Sequence, residues 1–299
     1  MGIEVKIIAD SISHMGKRIT TFQLKYQRFF HSEVMTHRML SRNASSSRAI
    51  PVAKIISQVW NDPAMPVYWG KNKAGMQAAS ELTGWRKALA KAVWTGTGKI
   101  ACVAAWCMMK VGMHKQISNR ILEPWQYISV VVTATEWDNF FALRDHKDAQ
   151  PEFRVLAHEM KEAMLWSTPT ELKAWEWHLP YMSADEIRNA EMTGTYSSLP
   201  KRSAARCARV SYNKHDGTKP TFDEDMELYD QLMTRPFTDK RGNTYGDGDP
   251  IHASPIEHQA YPQPYVTQDP ILASGNFIGW VQFRKLIENQ VKTKDAKWN

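Results

Sequence analysis

From Thr36 to Ile50 the chain reads THRMLSRNASSSRAI, which gathers His37, Arg38, Ser41, Arg42, Asn43, Ser46 and Arg48 into fifteen residues. No acidic residue stands between Val34 and Asn61, so the arginines have no local counter-charge. Successive backbone N–H groups at a turn form a concave anion site, and short hydroxyl side chains let a phosphate approach closely. Each arginine–phosphate hydrogen bond is charge-assisted and contributes about 1.5–3 kcal/mol. A solvated serine-rich loop has the same composition. The acid-free length and the position after a strand favour the anion site.

Other stretches carry similar chemistry. In EWDNFFALRDH, Trp137, Phe140 and Phe141 fall at the i, i+3, i+4 spacing of a buried helical stripe, and the next member of the series is Arg144. A guanidinium on an apolar face requires an anion, because an unpaired buried charge costs several kcal/mol. That anion is a protein carboxylate or a ligand. Arg120 in SNRILEP raises the same question, with Glu123 as a local partner. HASPIEH sets His252, Ser254, Glu257 and His258 around a proline, either as a rigid polar cluster or as a turn with surface histidines. Its histidines lack zinc-ligand spacing, and no metal site is expected. GTGKIA at Gly96 follows helix-forming sequence, not the strand a dinucleotide fingerprint needs.

The elements that must position these groups follow from periodicity. EVKIIAD and TFQLKYQRFF read as strands, the second with Phe22, Leu24 and Tyr26 alternating with polar residues. YISVVVTAT reads as a buried strand. The stretch from Thr36 to Ile50 is expected as a loop or helix start. Residues 85–111 read as helix interrupted near Gly96 and Gly98, 136–144 as helix with Thr135 and Asp138 as a capping box, and 151–166 as helix. Residues 167–200 read as irregular, FDEDMELYDQLM as an amphipathic helix, and GNFIGWVQFRKLIENQV as a final helix.

Composition bounds the class. With 43% hydrophobic and 23% charged residues over 299 positions, the chain can bury a sizeable core. No apolar run approaches the roughly 20 residues of a membrane helix. Three cysteines without ligand spacing fit a reduced, cytoplasmic setting. The net charge of +7 favours anionic partners. Twelve tryptophans and many arginines also describe a basic nucleic-acid-binding protein. Interspersed acids, including the helix at 223–230, argue against a continuous basic groove.

Taken together, the motifs resemble the flavin-dependent thymidylate synthase family. Its signature, Arg-His-Arg-x-x-Ser-x-Asn-x-x-Ser-x-Arg-Tyr, matches Thr36 to Ala49 at every position but the first and last. NRILEP and NFFALRDHKDAQPE match two further family segments and place Arg120, Asn139 and Arg144. The family's Ala-Arg-Val-Ser and His-x-Ser/Thr-Pro-x-Glu-His occur as Ala208–Ser211 and His252–His258, after the signature instead of before it, so the chain resembles a circularly permuted member. The resemblance implies an α+β fold, with a mixed or antiparallel sheet flanked by long helices, assembled as a homotetramer with shared active sites. It implies one domain over 1–299: signature and ligand helices at 19–155, an insertion at 156–200, the permuted segment at 201–260 and a C-terminal helix at 271–299.

The implied reaction converts dUMP to dTMP with FAD as cofactor, methylenetetrahydrofolate as carbon donor and NADPH as reductant, without membrane or nucleic-acid partners. By the same resemblance Ser46, Arg48, Arg120 and Arg144 bind the nucleotide, with Arg120 reaching it from a neighbouring subunit. His37, Arg38, Asn43, Asn139, Ser211, Ser254 and Glu257 line the flavin. Arg144 and His252 are the catalytic candidates. Thr36, Ala44 and Thr135 depart from the family pattern, which leaves room for a related one-carbon transfer such as hydroxymethylation.

Overall fold

The computed structural model describes residues 2–78, 80–211, 219–233, 237–238, 244–245, 253–263 and 275–287. Strand β1 (Glu4–Ser13) turns at Gly16 into β2 (Arg18–Gln27), and the two pair antiparallel. A short α1 (His31–Val34) leads to β3 (Ser41–Ala44), then α2 (Val52–Asn61), α3 (Gly84–Lys110) and α4 (Lys115–Ser118). Strand β4 (Tyr127–Ala134), α5 (Asp138–Arg144), α6 (Pro151–Trp166) and β5 (Thr170–Leu172) complete the main sheet and its cover. Next come α7 (Ala184–Met192), α8 (Leu199–Ala208) and α9 (Phe222–Met233). The two-residue strands β6 (Phe237–Thr238) and β7 (Thr244–Tyr245) pair with each other, as do β8 (Ala260–Pro262) and β9 (Trp280–Gln282).

The main sheet has the order β3-β4-β2-β1-β5, antiparallel except for the parallel β1–β5 edge. The chain is therefore α+β with a mixed sheet. Side chains alternate across a strand, and both faces of this sheet are used. On one face Phe22, Leu24 and Tyr26 join Val130 and Val132 against Trp137, Phe140 of α5, and Phe153, Leu156 and Met160 of α6. Burying each such side chain contributes about 1.5–3 kcal/mol. On the other face Thr21 stands opposite Thr133, and Ser41 and Asn43 stand opposite Thr133 and Val131. Here the covering residues come from late in the chain: Cys207 and Val210 pack on Val131, while Ala260, Phe277 and Trp280 pack on Ile19. A separate cluster joins Val52, Ile55 and Val59 of α2 to Cys102 and Ala105 of α3, with Leu122 and Trp125.

Several expectations change. The signature is not only loop, because Ser41–Ala44 adds an edge strand to β4. Helix α3 runs unbroken through both glycines, and Gly98 allows close approach, since a Cβ there would lie 3.0 Å from the Trp125 ring. Thr135 does not cap α5; its hydroxyl accepts the Ile278 N–H at 3.0 Å, and Trp137 occupies the N-cap. The stretch 167–200 holds α7, started by a Ser183–Glu186 capping box. Helix α6 crosses the expected boundary at 155/156. In place of a C-terminal helix over 271–299, the described residues 275–287 form β9 and a 3-10 turn, because Trp280 and Val281 are needed against β8. No helix among the described residues is long and apolar enough to cross a membrane.

Candidate active site

Arg144 ends α5, where a cation is favoured by the helix dipole. Its Nε donates to His37 Nε2 at 2.8 Å and its Nη2 to Thr36 Oγ1 at 3.4 Å. The guanidinium carbon lies 4.7 Å from the Phe153 ring centroid. Accepting at Nε2 leaves the His37 proton on Nδ1. Burial, then the charges of Arg144 and Arg42, lower the His37 pKa and keep the ring neutral. Among the described residues no carboxylate pairs with Arg144, and its Nη1 has no hydrogen-bond partner. The apolar-face arginine thus rests on an aromatic ring and a neutral imidazole with its charge uncompensated. Arg38 and Asn139 are exposed and likewise make no side-chain bond among the described residues.

A second cluster joins β3 to the permuted motifs. Asn43, 6% exposed, donates through Nδ2 to Cys207 O at 2.8 Å and accepts from Ser254 Oγ at 3.0 Å. Ser41 Oγ accepts from Asn276 and Gln282 at 3.3 and 3.2 Å. Gln282 also donates to Glu257 O at 2.9 Å, and the Glu257 carboxylate pairs with Arg284. Two motifs about 200 residues apart therefore meet through Asn43 and Ser254. The backbone of Ser211 closes a 3-10 turn next to this strand, while its side chain, like His252, lies outside the described residues.

The third cluster surrounds Glu123. Its Oε1 accepts from Arg120 Nη1 at 2.7 Å, from Arg28 at 2.8 Å and from Ser47 Oγ at 3.5 Å. Asn119 Nδ2 donates to Ser47 O and Ile50 O, fixing the serine-rich turn. Ser46 is half-buried in that turn, and Arg48 is exposed and makes no side-chain bond among the described residues. Arg42 does not face an anion: it donates to Val34 O and Met35 O at 3.3 and 2.7 Å.

Within one chain no hydrogen bond or ion pair links Arg48, Arg120 and Arg144. Arg120 is paired with the local Glu123, whereas Arg144 and Arg48 have no acid among the described residues. Sequence reasoning placed Glu123 beside Arg120 but missed that Arg28 shares it. It also missed Cys207, Asn276, Gln282 and Arg284 as partners of the signature and the permuted motif. It passed over His178, whose ring bonds Ser11 Oγ at 2.9 Å and Thr21 Oγ1 at 2.8 Å. Thr21 continues to Thr133 at 2.7 Å and Thr133 to His258 Nδ1 at 2.8 Å. The only available signal was a pair of threonines on inward-facing strand positions. Cys207 is buried and its thiol pKa is pushed up, so it stays protonated and unreactive.

Comparison with known proteins adds three results. No curated protein matches the chain. A solved UMP/dUMP methylase, PolB from Streptomyces cacaoi bound with 5-Br UMP, is 15% identical over 54% of this chain and 88% of its own, with a TM-score of 0.43. The same enzyme bound with 5-Br dUMP gives 16%, 54%, 89% and 0.42. The profile of the family described as thymidylate synthase complementing protein matches residues 15–170. That span holds more than half of the chain and includes the signature, Arg120, Asn139 and Arg144. The chain therefore belongs to the thymidylate synthase complementing protein family, nucleotide methyltransferase-type enzymes.

Proposed function

We propose that the protein converts dUMP to dTMP as an FAD-dependent enzyme, with methylenetetrahydrofolate as carbon donor, NADPH as reductant, and active sites shared within a homotetramer. The observation that carries this reading is Arg144, half-buried on Phe153 with free donors and no carboxylate among the described residues. A nucleotide phosphate beside an electron-rich pyrimidine is the anionic ligand that such a group requires. His37, held neutral, orients the guanidinium by accepting from its Nε and leaves the other donors to the ligand. Arg48 and Ser46 extend the phosphate pocket, and Arg120 reaches a neighbouring subunit's site by exchanging Glu123 for the ligand. Its pair with Glu123 is half-exposed, and such pairs contribute about 0–1 kcal/mol.

For the flavin the residues fit unevenly. Arg38 and Asn139 present uncommitted donors among the described residues, and His37 a half-buried ring. Asn43 and Glu257 already hold Ser254 and Arg284, so they shape the flavin site by fixing the permuted segment against β3. Ser211, Ser254 and His252 complete that site by family resemblance. FAD, when bound, supplies the hydride that reduces the transferred carbon. A second reading, hydroxymethylation of a pyrimidine nucleotide, is favoured by Thr36, which bonds Arg144 where the family has another arginine.

The purified protein should be yellow and release FAD. It should free tritium from C5-labelled dUMP when given NADPH and methylenetetrahydrofolate, and product mass separates a methyl from a hydroxymethyl group. Arg144→Ala should weaken dUMP binding about ten- to hundredfold, the loss expected for one charge-assisted contact, and leave FAD binding nearly unchanged. Equal loss of both would make the arginine structural. A colourless protein that takes up no FAD but shifts DNA in a gel would replace this reading with nucleic-acid binding.

A further inference from the structure

Five polar side chains form one continuous row on the second face of the sheet, across the neighbouring strands β1, β2 and β4. Ser11 Oγ lies 2.9 Å from His178 Nδ1, and His178 Nε2 lies 2.8 Å from Thr21 Oγ1. Thr21 Oγ1 lies 2.7 Å from Thr133 Oγ1, which lies 2.8 Å from His258 Nδ1. There the row stops, because His258 Nε2 is buried without a hydrogen-bond partner among the described residues. We propose that the row is a proton relay, which takes up a proton at His258 Nε2 and gives one up at Ser11. A proton displaced from the substrate then leaves without charging any buried group.

The number of protons fixes how the row behaves. Each hydroxyl and each neutral imidazole has one proton to donate. All the bonds of the row can therefore be made in only two ways. In the first, every proton points towards Ser11: both rings carry theirs on Nδ1, and His258 Nε2 is a bare lone pair. In the second, every proton points towards His258 and both rings are protonated on Nε2. Uptake at His258 Nε2 sends its Nδ1 proton to Thr133, that of Thr133 to Thr21, and that of Thr21 to His178 Nε2. The His178 Nδ1 proton passes to Ser11, and the Ser11 proton passes to solvent. The first arrangement has become the second, and every group is again neutral. Reduction with NADPH draws one proton in per turnover, so the same row run backwards restores the first arrangement.

Burial and charge give the row its two ends. Thr21, Thr133 and His258 are 0% exposed, His178 is 1% and Ser11 6% exposed, so the row meets solvent at Ser11. The inner end lies in the cluster assigned above to the flavin, where Thr133 stands opposite Ser41 and Ser254 of the His258 motif bonds Asn43. Burial holds both imidazoles neutral, so a proton arriving at either ring moves on instead of resting there as an unpaired charge. The Asp10 carboxylate near His178 favours positive charge at the outer end, while His178 disfavours it on His258. The gradient points outwards. The inference rests on the proposed reaction for the proton that the row carries.

Thr133→Val cuts the row at nearly constant volume, and Thr133→Ser keeps the hydroxyl. In the full-length protein supplied with FAD, dUMP, methylenetetrahydrofolate and NADPH, Thr133→Val should lower kcat for dTMP formation about a hundredfold, the low end of what a positioned proton acceptor contributes. Its dissociation constants for dUMP and FAD should not change, and Thr133→Ser should act like wild type. The wild-type rate should follow the deuterium content of the solvent along a curve, the mark of several protons moving in one step, and that of Thr133→Val along a straight line. A bond that only held the rings in place would not alter that shape. Nitrogen-15 spectra of the histidines need no variant: His178 and His258 should carry their protons on the same ring nitrogen. Opposite tautomers, an unchanged kcat in folded Thr133→Val, or a straight line in wild type each overturns the proposal. A wild type that makes no dTMP overturns the proposed function instead, and the tautomers then decide the row by themselves.

Discussion

Half-buried Arg144 and buried Arg206 show what a guanidinium does without and with an acid among the described residues. Arg206 binds Glu186 through Nη1 and Nη2 at 2.9 and 2.5 Å and Asp225 through Nε at 2.9 Å, and Arg202 adds a bond to Glu186 at 3.1 Å. Burial works against ionisation of Glu186, but Arg206 and Ser183 outweigh it and hold its pKa down to about 2. Glu186→Gln should therefore cost on the order of 3 kcal/mol in urea unfolding at pH 7. The unfolded carboxylate titrates near its ordinary value of 4.5, so this stability is present above that value and vanishes as pH falls through about 2. The position of Arg144 was legible from a seven-residue spacing. Its partner was not, because His37 lies 107 residues away and bonds of that range leave no periodic trace. The same holds for Asn43, whose type suggested a ligand contact while the structure commits both ends of its amide to the protein.

At the scale of elements, periodicity served where one pattern dominated: β1, β2, β4, α6 and α9 stand where hydrophobic spacing put them. It failed where tertiary contacts overrode local preference. Glycines that read as a break in α3 are tolerated because Gly98 lies under Trp125, whose indole N–H donates to Trp94 O at 2.9 Å. Gly98→Leu should lower stability by about 1–3 kcal/mol through overpacking, seen as a fall in the urea midpoint without loss of helix at native conditions. The Ser183-x-x-Glu186 box was visible as a start signal for α7 and was passed over among irregular sequence. The final segment misled because an apolar, charged-ended stretch fits a helix as well as the strand it becomes.

For the molecule as a whole, the hydrogen-bonded row from His178 through Thr21 and Thr133 to His258 ties residues of distant sequence across the second face of the sheet. Both histidines are fully buried. Burial lowers each pKa to about 3, despite the opposing charge of Asp10 near His178 and with a further push from His178 on His258. The unfolded chain binds these protons below about 6.5 and the native chain does not, so stability should fall as pH drops. The slope grows from half of about 1.4 kcal/mol per pH unit per histidine at pH 6.5, where the unfolded ring is half protonated, to nearly all of it at pH 5, so the loss for the two is about 3 kcal/mol between these values. Urea titrations at the two values check it, and a flat profile would contradict the buried, neutral state.

The late origin of this cover also sets a schedule for synthesis. The five sheet strands are complete once Leu172 has been made, yet Ser41 obtains its partners only from Asn276 and Gln282. At about 5–20 residues per second, a ribosome leaves that face wet for on the order of ten seconds. During that interval the nascent sheet offers half-finished polar rows to any chaperone or neighbouring chain.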